Sequence, residues 1–413
     1  MHRAGEPRAN ERLGVVRRIG FPLVLILSVV LLASCSSPPV IVTLPSTTVP
    51  PGPTTTTTTK PPTFPGFLAQ SVSFVTLKKA YVLGVVSCPT GACLAFRETI
   101  DHGVTWTTLA PPPTTLDTTG TAGVAQIHFA NVKNGWAYGA TLWSTHNGAA
   151  SWEPVGIGGT VVALASSDGL AYALVSPCPA STRCTTPGKL YRTPIAKDAW
   201  TVVPGVTGVF TPTTSSLVVV GRTVFVSSET PTPQILSSPT GVTFTALPIP
   251  CAPASKTTRG PFIPASLSAV SPSDMAVMCL GHSGSENQFK QAFVSSDGGH
   301  TYHRLPDPPA TGEGADLVMA GVDVVLYSTI SNATSVVASV APFTAWSTRL
   351  NFKDGGIGMS DLSFYDKFHG AVIYGAATAS LKLLGLPDPP TSVGHLYFTH
   401  KSGASWHVVQ IPV

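Results

Sequence analysis

The sequence predicts an all-β fold, a seven-bladed β-propeller of four-stranded antiparallel blades. Three observations predict it. An aromatic residue recurs at intervals of roughly 44 to 60 residues, a pair of β-forming runs precedes each one, and no long stretch keeps a helical period. The recurring aromatics are Trp106, Trp152, Trp200, Phe244, Tyr302, Trp346 and Trp406, which account for five of the chain's seven tryptophans. The paired runs are Phe74 to Val86, Ile127 to Tyr138, Val161 to Leu174, Leu217 to Val226, Leu267 to Met278, Leu317 to Tyr327 and Leu362 to Tyr374. Seven aromatics matched to seven hairpins set the blade number, with six or eight blades as the alternatives because two of the repeats are poorly kept. Radial closure suits roughly 350 residues that one compact core would organise badly.

Each aromatic ends a short polar segment. The clearest are Ser295-Ser296-Asp297-Gly298-Gly299-His300-Thr301-Tyr302, Thr99-Ile100-Asp101-His102-Gly103-Val104-Thr105-Trp106 and Thr399-His400-Lys401-Ser402-Gly403-Ala404-Ser405-Trp406. These resemble the Asp-box, or BNR repeat, of sialidases and related propellers, written Ser-x-Asp-x-Gly-x-Thr-Trp. In that frame Ser237 to Phe244 keeps Gly241, and Ser144 to Trp152 keeps Gly148 with one residue extra. Thr193 to Trp200 and Ser339 to Trp346 keep only the spacing and the tryptophan. The physical expectation is a turn between the third and fourth strands (C and D). Asp101 or Asp297 caps its own backbone amides, Gly103, Gly299 or Gly403 takes positive φ, and the aromatic packs between sheets for about 1.5 to 3 kcal/mol. These residues read as structural.

The chain begins with Arg12, Arg17 and Arg18 ahead of an apolar run from Phe21 to Leu32, the layout of a secretory signal. At roughly a dozen residues the run is too short to span a bilayer as a helix. Leu32-Ala33-Ser34-Cys35 resembles the lipobox of bacterial lipoproteins, which implies cleavage after residue 34 and acylation of Cys35. Two acyl chains suffice for stable anchoring. The expected location is the extracytoplasmic face of the bacterial membrane. Residues 35 to 66 are rich in Pro and Thr, with a threonine run from Thr54 to Thr59, and read as an extended stalk reaching on the order of 90 Å. The propeller takes 67 to 413.

Loss of the leader lowers the basic and acidic counts from 24 and 20 to 19 and 18, a formal charge near +1. A chain so nearly neutral has no cationic stripe for nucleic acid. Cys88, Cys93, Cys178, Cys184, Cys251 and Cys279 are even in number and, after export, lie where disulfides persist. Of fifteen possible pairings, Cys88 with Cys93, Cys178 with Cys184 and Cys251 with Cys279 are preferred, since the first two pairs bracket short loops. No histidines cluster beside them, so neither a metal nor a cofactor is expected.

Antiparallel order puts A–B and C–D turns on one face and B–C and D–A loops on the other. The long segments Ser176 to Lys189, Gly281 to Lys290 and Ala376 to His395 are B–C loops by this reading. Ala110 to Ala122, Pro248 to Pro264 and Pro306 to Glu313 are D–A loops. A rigid scaffold carrying long braced loops on one face is a common way to build a binding surface. Its candidate residues are Arg183, Lys189, Arg259, His282, Glu286, Lys290, Asp307 and His395.

The Asp-box resemblance implies a superfamily, not a reaction. In sialidases it implies an arginine triad, a tyrosine nucleophile paired with a glutamate, and an aspartate acid/base. The family's aromatic-Arg-x-Pro motif has one match, Tyr191-Arg192-Thr193-Pro194, in the third blade instead of before the first box, which makes Arg192 a poor triad member. A second resemblance, carried by Gly135-Trp136-Ala137, is to photosystem II assembly factors, and implies a scaffold or binding role. No His-Glu-x-x-His, Gly-x-Ser-x-Gly or P-loop pattern occurs. The expectation is a monomeric, lipid-anchored module without catalytic residues that binds a protein or glycan, the alternative being a sialidase-like exo-glycoside hydrolase.

Overall fold

The structure, a computed structural model, describes residues 66–89, 91–180, 184–229, 232–253, 261–284, 287–353, 357–378 and 394–413, with only the backbone at 282–284. These residues form seven sheets, each of four strands consecutive in sequence and paired antiparallel. The chain is a seven-bladed β-propeller. The innermost strands are β1 (Phe67–Phe74), β5 (Gln126–Phe129), β9 (Thr160–Ser167), β13 (Ser216–Val220), β17 (Ile263–Ala269), β21 (Asp316–Met319) and β25 (Met359–Phe364). The second strands, such as β6 (Gly135–Tyr138), β22 (Val324–Ser328) and β26 (Gly370–Tyr374), are buried along their whole length. Sheets cover them on both sides, so their sequences run apolar without alternating.

One apolar cluster fills each junction between blades, and each contains one of the recurring aromatics. Trp106 packs between the last blade and the first, and Trp152 between the first and second. Trp200, Phe244, Tyr302, Trp346 and Trp406 fill the following junctions in turn. Two of these indoles also donate to the carbonyl that follows the outer strand of the blade before, Trp152 to Ala110 at 3.0 Å and Trp346 to Pro306 at 2.6 Å.

The C–D turns follow a shared hydrogen-bond plan. Asp297 Oδ1 accepts from the Thr301 amide at 2.9 Å and Oδ2 from its hydroxyl at 2.6 Å, while Ser295 Oγ accepts from the Gly299 amide at 2.9 Å. Asp101, Thr105, Thr99 and Gly103 repeat this arrangement. The second blade repeats it too, one residue later than the sequence frame suggests. Thr145 Oγ1, not Ser144, accepts from Ala149 N, and Asn147 Oδ1 accepts from Ser151 N. No residue is inserted. Gly148 stands one place before the glycine position, which Ala149 fills at φ 66°. In the fourth blade Ser238, not Ser237, anchors the turn by accepting from Val242 N at 3.2 Å.

A second staple ties C–D turns to A–B turns. His102, Gly148, Gly298 and Ser402, all at positive φ, donate their amides to Lys78, Lys133, Ser273 and Phe368 carbonyls. The two kinds of turn therefore share one face, and the B–C and D–A connections lie on the other.

The ring closes without exchange of strands, because the first and last sheets are each built from one continuous stretch. Closure rests on Phe67, Ala69 and Val72 packing against Ala371, Ile373 and Leu396, and on Ala69 N donating to Gly394 O at 2.8 Å. Arg97, buried against the Phe67 ring, donates to the Pro412 carbonyl and so holds the C-terminus on the first blade.

Three disulfides join Cys88 to Cys93, Cys178 to Cys184 and Cys251 to Cys279. Cys279 is not on a rim loop. It lies inside β18 (Met275–Gly284), fully buried, and its bond ties the D–A connection before that blade to the blade itself. The segment expected as a loop from Gly281 to Lys290 is largely a hairpin, in which β18 and β19 (Asn287–Ser295) extend to pair Gly284 with Asn287.

Candidate functional site

A cavity of about 410 Å³ lies where the innermost strands converge. Pro212 and Thr213 ahead of β13, Ala315 ahead of β21 and Ile330 beyond β22 border it, as does Tyr138 at the end of β6. All belong to D–A or B–C connections or the strand ends beside them. The cavity therefore sits toward the face that carries the long loops and disulfides.

One position in the innermost strands links neighbouring blades and, at Ser216, Ser266, Asp316 and Asp361, borders the cavity. Ser71 Oγ accepts from Ile127 N of the next blade at 3.1 Å, Ser216 Oγ from Leu267 N at 3.1 Å, and Ser266 Oγ from Leu317 N at 3.2 Å. In the sixth and seventh blades the same position is acidic. Asp316 Oδ2 accepts from Leu362 N at 2.8 Å, and Asp361 Oδ2 accepts from Val72 N and from Ser71 Oγ. Asp361 thus makes this link across the ring's seam. A side chain on each of these strands thus accepts from the backbone of the neighbouring blade.

Both carboxyls face the cavity while protein encloses them. Burial pushes Asp316 up to about 7, with the Asp361 charge adding to the shift and the Leu362 amide opposing it. Asp361 rises to about 6 from burial, against the Val72 amide and Ser71 hydroxyl that favour its anion. The Tyr138 phenol is raised by burial first and by both carboxylates next. These couplings place the three groups within electrostatic reach of one another. Burial thus favours the protonated form of both carboxyls, and a protonated carboxyl can donate as well as accept. Gln126, Ser360 and the hydroxyls around them add polar contacts, and Val162, Leu164, Leu217 and Met359 supply apolar wall. No arginine, lysine or glutamate among the described residues borders the cavity.

Of the residues expected to form a binding face, Lys189, Lys290, Asp307 and His395 have described side chains. Arg183, Arg259 and Glu286 lie outside the described residues, as do Cys35 and the His282 side chain. Lys189 is exposed on β11 (Gly188–Pro194), and His395 is half-buried at the start of β27 (His395–Thr399), where burial lowers its basicity. Asp307 pairs with Arg304 at 2.6 Å in water. Lys290 corrects the expectation of a surface charge. It is 3 % exposed, its Nζ donates to the carbonyls of Gln288, Thr311 and Gly312, and burial lowers it to about 8. Its role is to hold the D–A loop that ends at the cavity. Arg192 is remote from the cavity and donates weakly toward the Gly241 carbonyl of the neighbouring C–D turn.

Sequence reasoning did not find Asp316, Asp361 or Tyr138. A signal existed: Ser216-Leu217, Ser266-Leu267, Asp316-Leu317 and Asp361-Leu362 stand in corresponding inner strands, and the last two exchange hydroxyl for carboxyl.

No family model and no curated protein matches the sequence. Solved structures do. The β-propeller domain of the Trilobed protease from Pyrococcus furiosus, which has an open velcro topology, is 6% identical and superposes with a TM-score of 0.52 over 84% of this chain and 99% of that one. YCF48 bound to a D1 peptide is 17% identical, with a TM-score of 0.48, and the match spans 76% of this chain and 91% of that one. The GH93 α-L-arabinofuranosidase of Fusarium graminearum with arabinobiose is 10% identical, with a TM-score of 0.40, over 76% and 90%. At these identities the likeness concerns the fold alone.

Proposed function

We propose that the protein is an exported, lipid-anchored binding module that seats a protein or glycan partner over the cavity on its loop face. The observation that carries this reading is the coincidence, on one face, of a cavity of about 410 Å³ with the connections that the disulfides brace. Rigid walls and fixed loops lower the ordering cost of binding. The leader ending in Cys35 supports anchoring, and the Pro/Thr-rich segment that follows supports a stalk holding a monomeric propeller off the membrane.

Peptide and glycan arrays probed with the full chain test the reading. A retained ligand should be lost when Thr213→Trp crowds the cavity mouth and kept when Val104→Glu alters the opposite face. Loss with Val104→Glu but not Thr213→Trp overturns the placement. Anchoring is tested separately, since Cys35→Ala should move the protein from the membrane fraction to the soluble one.

One observation favours a second reading, an exo-glycoside hydrolase. Two carboxyls beside one cavity, both held less acidic by burial, are groups of the kind that glycoside cleavage uses. With no arginine among the described residues of the wall, a neutral glycoside suits the site better than a sialoside. Turnover across a fluorogenic glycoside panel, abolished in Asp316→Asn, would support this reading, and no turnover by the wild type would remove it.

A further inference from the structure

We infer that the central cavity seats a lysine or arginine side chain of a protein partner, with its cationic head on Asp316 and Asp361 and its alkyl stem along the apolar wall. The inference rests on the reading of the loop face as a binding surface and narrows the partner to one that inserts a cation.

The seven innermost strands carry three ionisable side chains, His128, Asp316 and Asp361. His128 meets Ser166 Oγ at 2.7 Å, and burial lowers it to about 4, so it stays neutral. The charge that these strands can place around the cavity is therefore negative. The two aspartates are neighbours, because Asp316 accepts from the amide of Leu362, the residue that follows Asp361. Each spends its Oδ2 on the hydrogen bonds between blades, while Oδ1 of each accepts from no described group. Both residues border the cavity.

A second group also points to a ligand. Tyr138 is 8 % exposed and borders the same cavity. The Leu164 amide reaches its oxygen, and both carboxylates act on it, so the hydroxyl stands on their side. Its proton has no acceptor among the described residues. A buried donor left without an acceptor is unfavourable, and a ligand oxygen removes the penalty.

A peptide bearing lysine or arginine supplies what both kinds of group lack. Its cationic head donates to the two free carboxylate oxygens, and a backbone carbonyl accepts from the phenol. Val162, Leu164, Leu217 and Met359 line the cavity and can cover the methylene stem behind the charge. An amino sugar offers the charge without that stem. The cation also provides the opposite charge that favours ionised carboxyls, which burial alone disfavours.

An array of end-blocked hexapeptides, probed with the full chain, tests the inference by placing lysine, arginine, norleucine or citrulline at one central position. Lysine and arginine peptides should be retained, and norleucine or citrulline should weaken them at least about tenfold, as should Asp316→Asn/Asp361→Asn. Val104→Glu, on the opposite face, should change nothing. Equal retention of norleucine peptides, lost in Thr213→Trp, would overturn the cation and leave the binding face standing. Retention that Thr213→Trp does not disturb would overturn both, and no retained peptide would reject a protein partner. Stronger competition by a glucosamine oligomer than by free lysine peptide would also reject it. If the double variant fails to fold, the wild type decides. Burial raises Asp316 to about 7 and Asp361 to about 6, so acid discharges both while Tyr138 stays protonated and His128 neutral. Affinity for a lysine peptide should therefore fall at least about tenfold from about pH 7.5 to about pH 5. A flat or rising profile rejects the carboxyls as the cation's partners.

Discussion

Asp361 adopts φ 58°, accepts two hydrogen bonds from the first blade and borders the cavity. Each property predicts a different response to substitution. Asparagine tolerates the left-handed conformation and still accepts from Val72, whereas alanine leaves that amide unpaired. In urea unfolding, Asp361→Ala should therefore be about 1–3 kcal/mol less stable than Asp361→Asn. The carboxyl pair also makes stability depend on pH. Folding raises Asp316 and Asp361 from 3.8 to about 7 and about 6, so between these values the folded chain holds more protons than the unfolded one. Their contribution is complete below about pH 4 and fades as the pH rises to 7. Melting temperatures measured against pH should fall less steeply over that window in Asp316→Asn/Asp361→Asn than in the wild type; parallel curves would refute the assignment. These two residues were hard to read from the sequence because an aspartate before an apolar run looks like a turn residue. Only the register of the neighbouring strands shows that it occupies the place of a buried serine. Lys290 misled for the opposite reason, since charge alone suggests water and the carbonyls that solvate it come from a loop some twenty residues on.

At the level of single elements, the recurring aromatics were the most legible feature of the chain. A large ring needs burial, and only a junction between sheets offers it at each repeat. Trp152 is 7 % exposed and contacts Phe96 and Phe129 edge-on. Trp152→Ala should cost about 3–5 kcal/mol in chemical denaturation, with Trp152→Phe retaining most of the stability. The C–D turns were less legible. In the second blade Ser144 precedes Thr145 and both could open the turn, but Ser144 Oγ is bound instead to Asp198 of the third blade at 2.6 Å. Asp198 also meets His146 and Trp136, so the poorly kept turn of the third blade has exchanged its own cap for a brace to its neighbour. Among the disulfides, Cys251–Cys279 closes the longest loop, with a separation of 28 against 5 and 6. By loop-closure entropy it is worth about 3.5 kcal/mol and the short ones about 2. Replacing both of its cysteines by alanine should lower the melting temperature more than replacing Cys88 and Cys93; the reverse order would show that the buried Cys279 sulfur packs well without its partner.

For the molecule as a whole, the seven-fold repetition was readable because each blade repeats one solution to the same packing problem. The manner of closure was not, since a repeat count says nothing of where the first strand pairs. Here the first strand is the inner strand of its own blade, and the last strand, β28 (His407–Val409), is the outer strand of its own. The seam is consequently the one junction that no peptide linker crosses, and both ends of the propeller lie beside it. A load applied through the N-terminal segment and resisted at the C-terminus would act on that joint before any other. Like a bracelet with a clasp, the ring should part there first and then surrender its blades singly. Force spectroscopy should show this as a small initial lengthening followed by a staircase of similar steps.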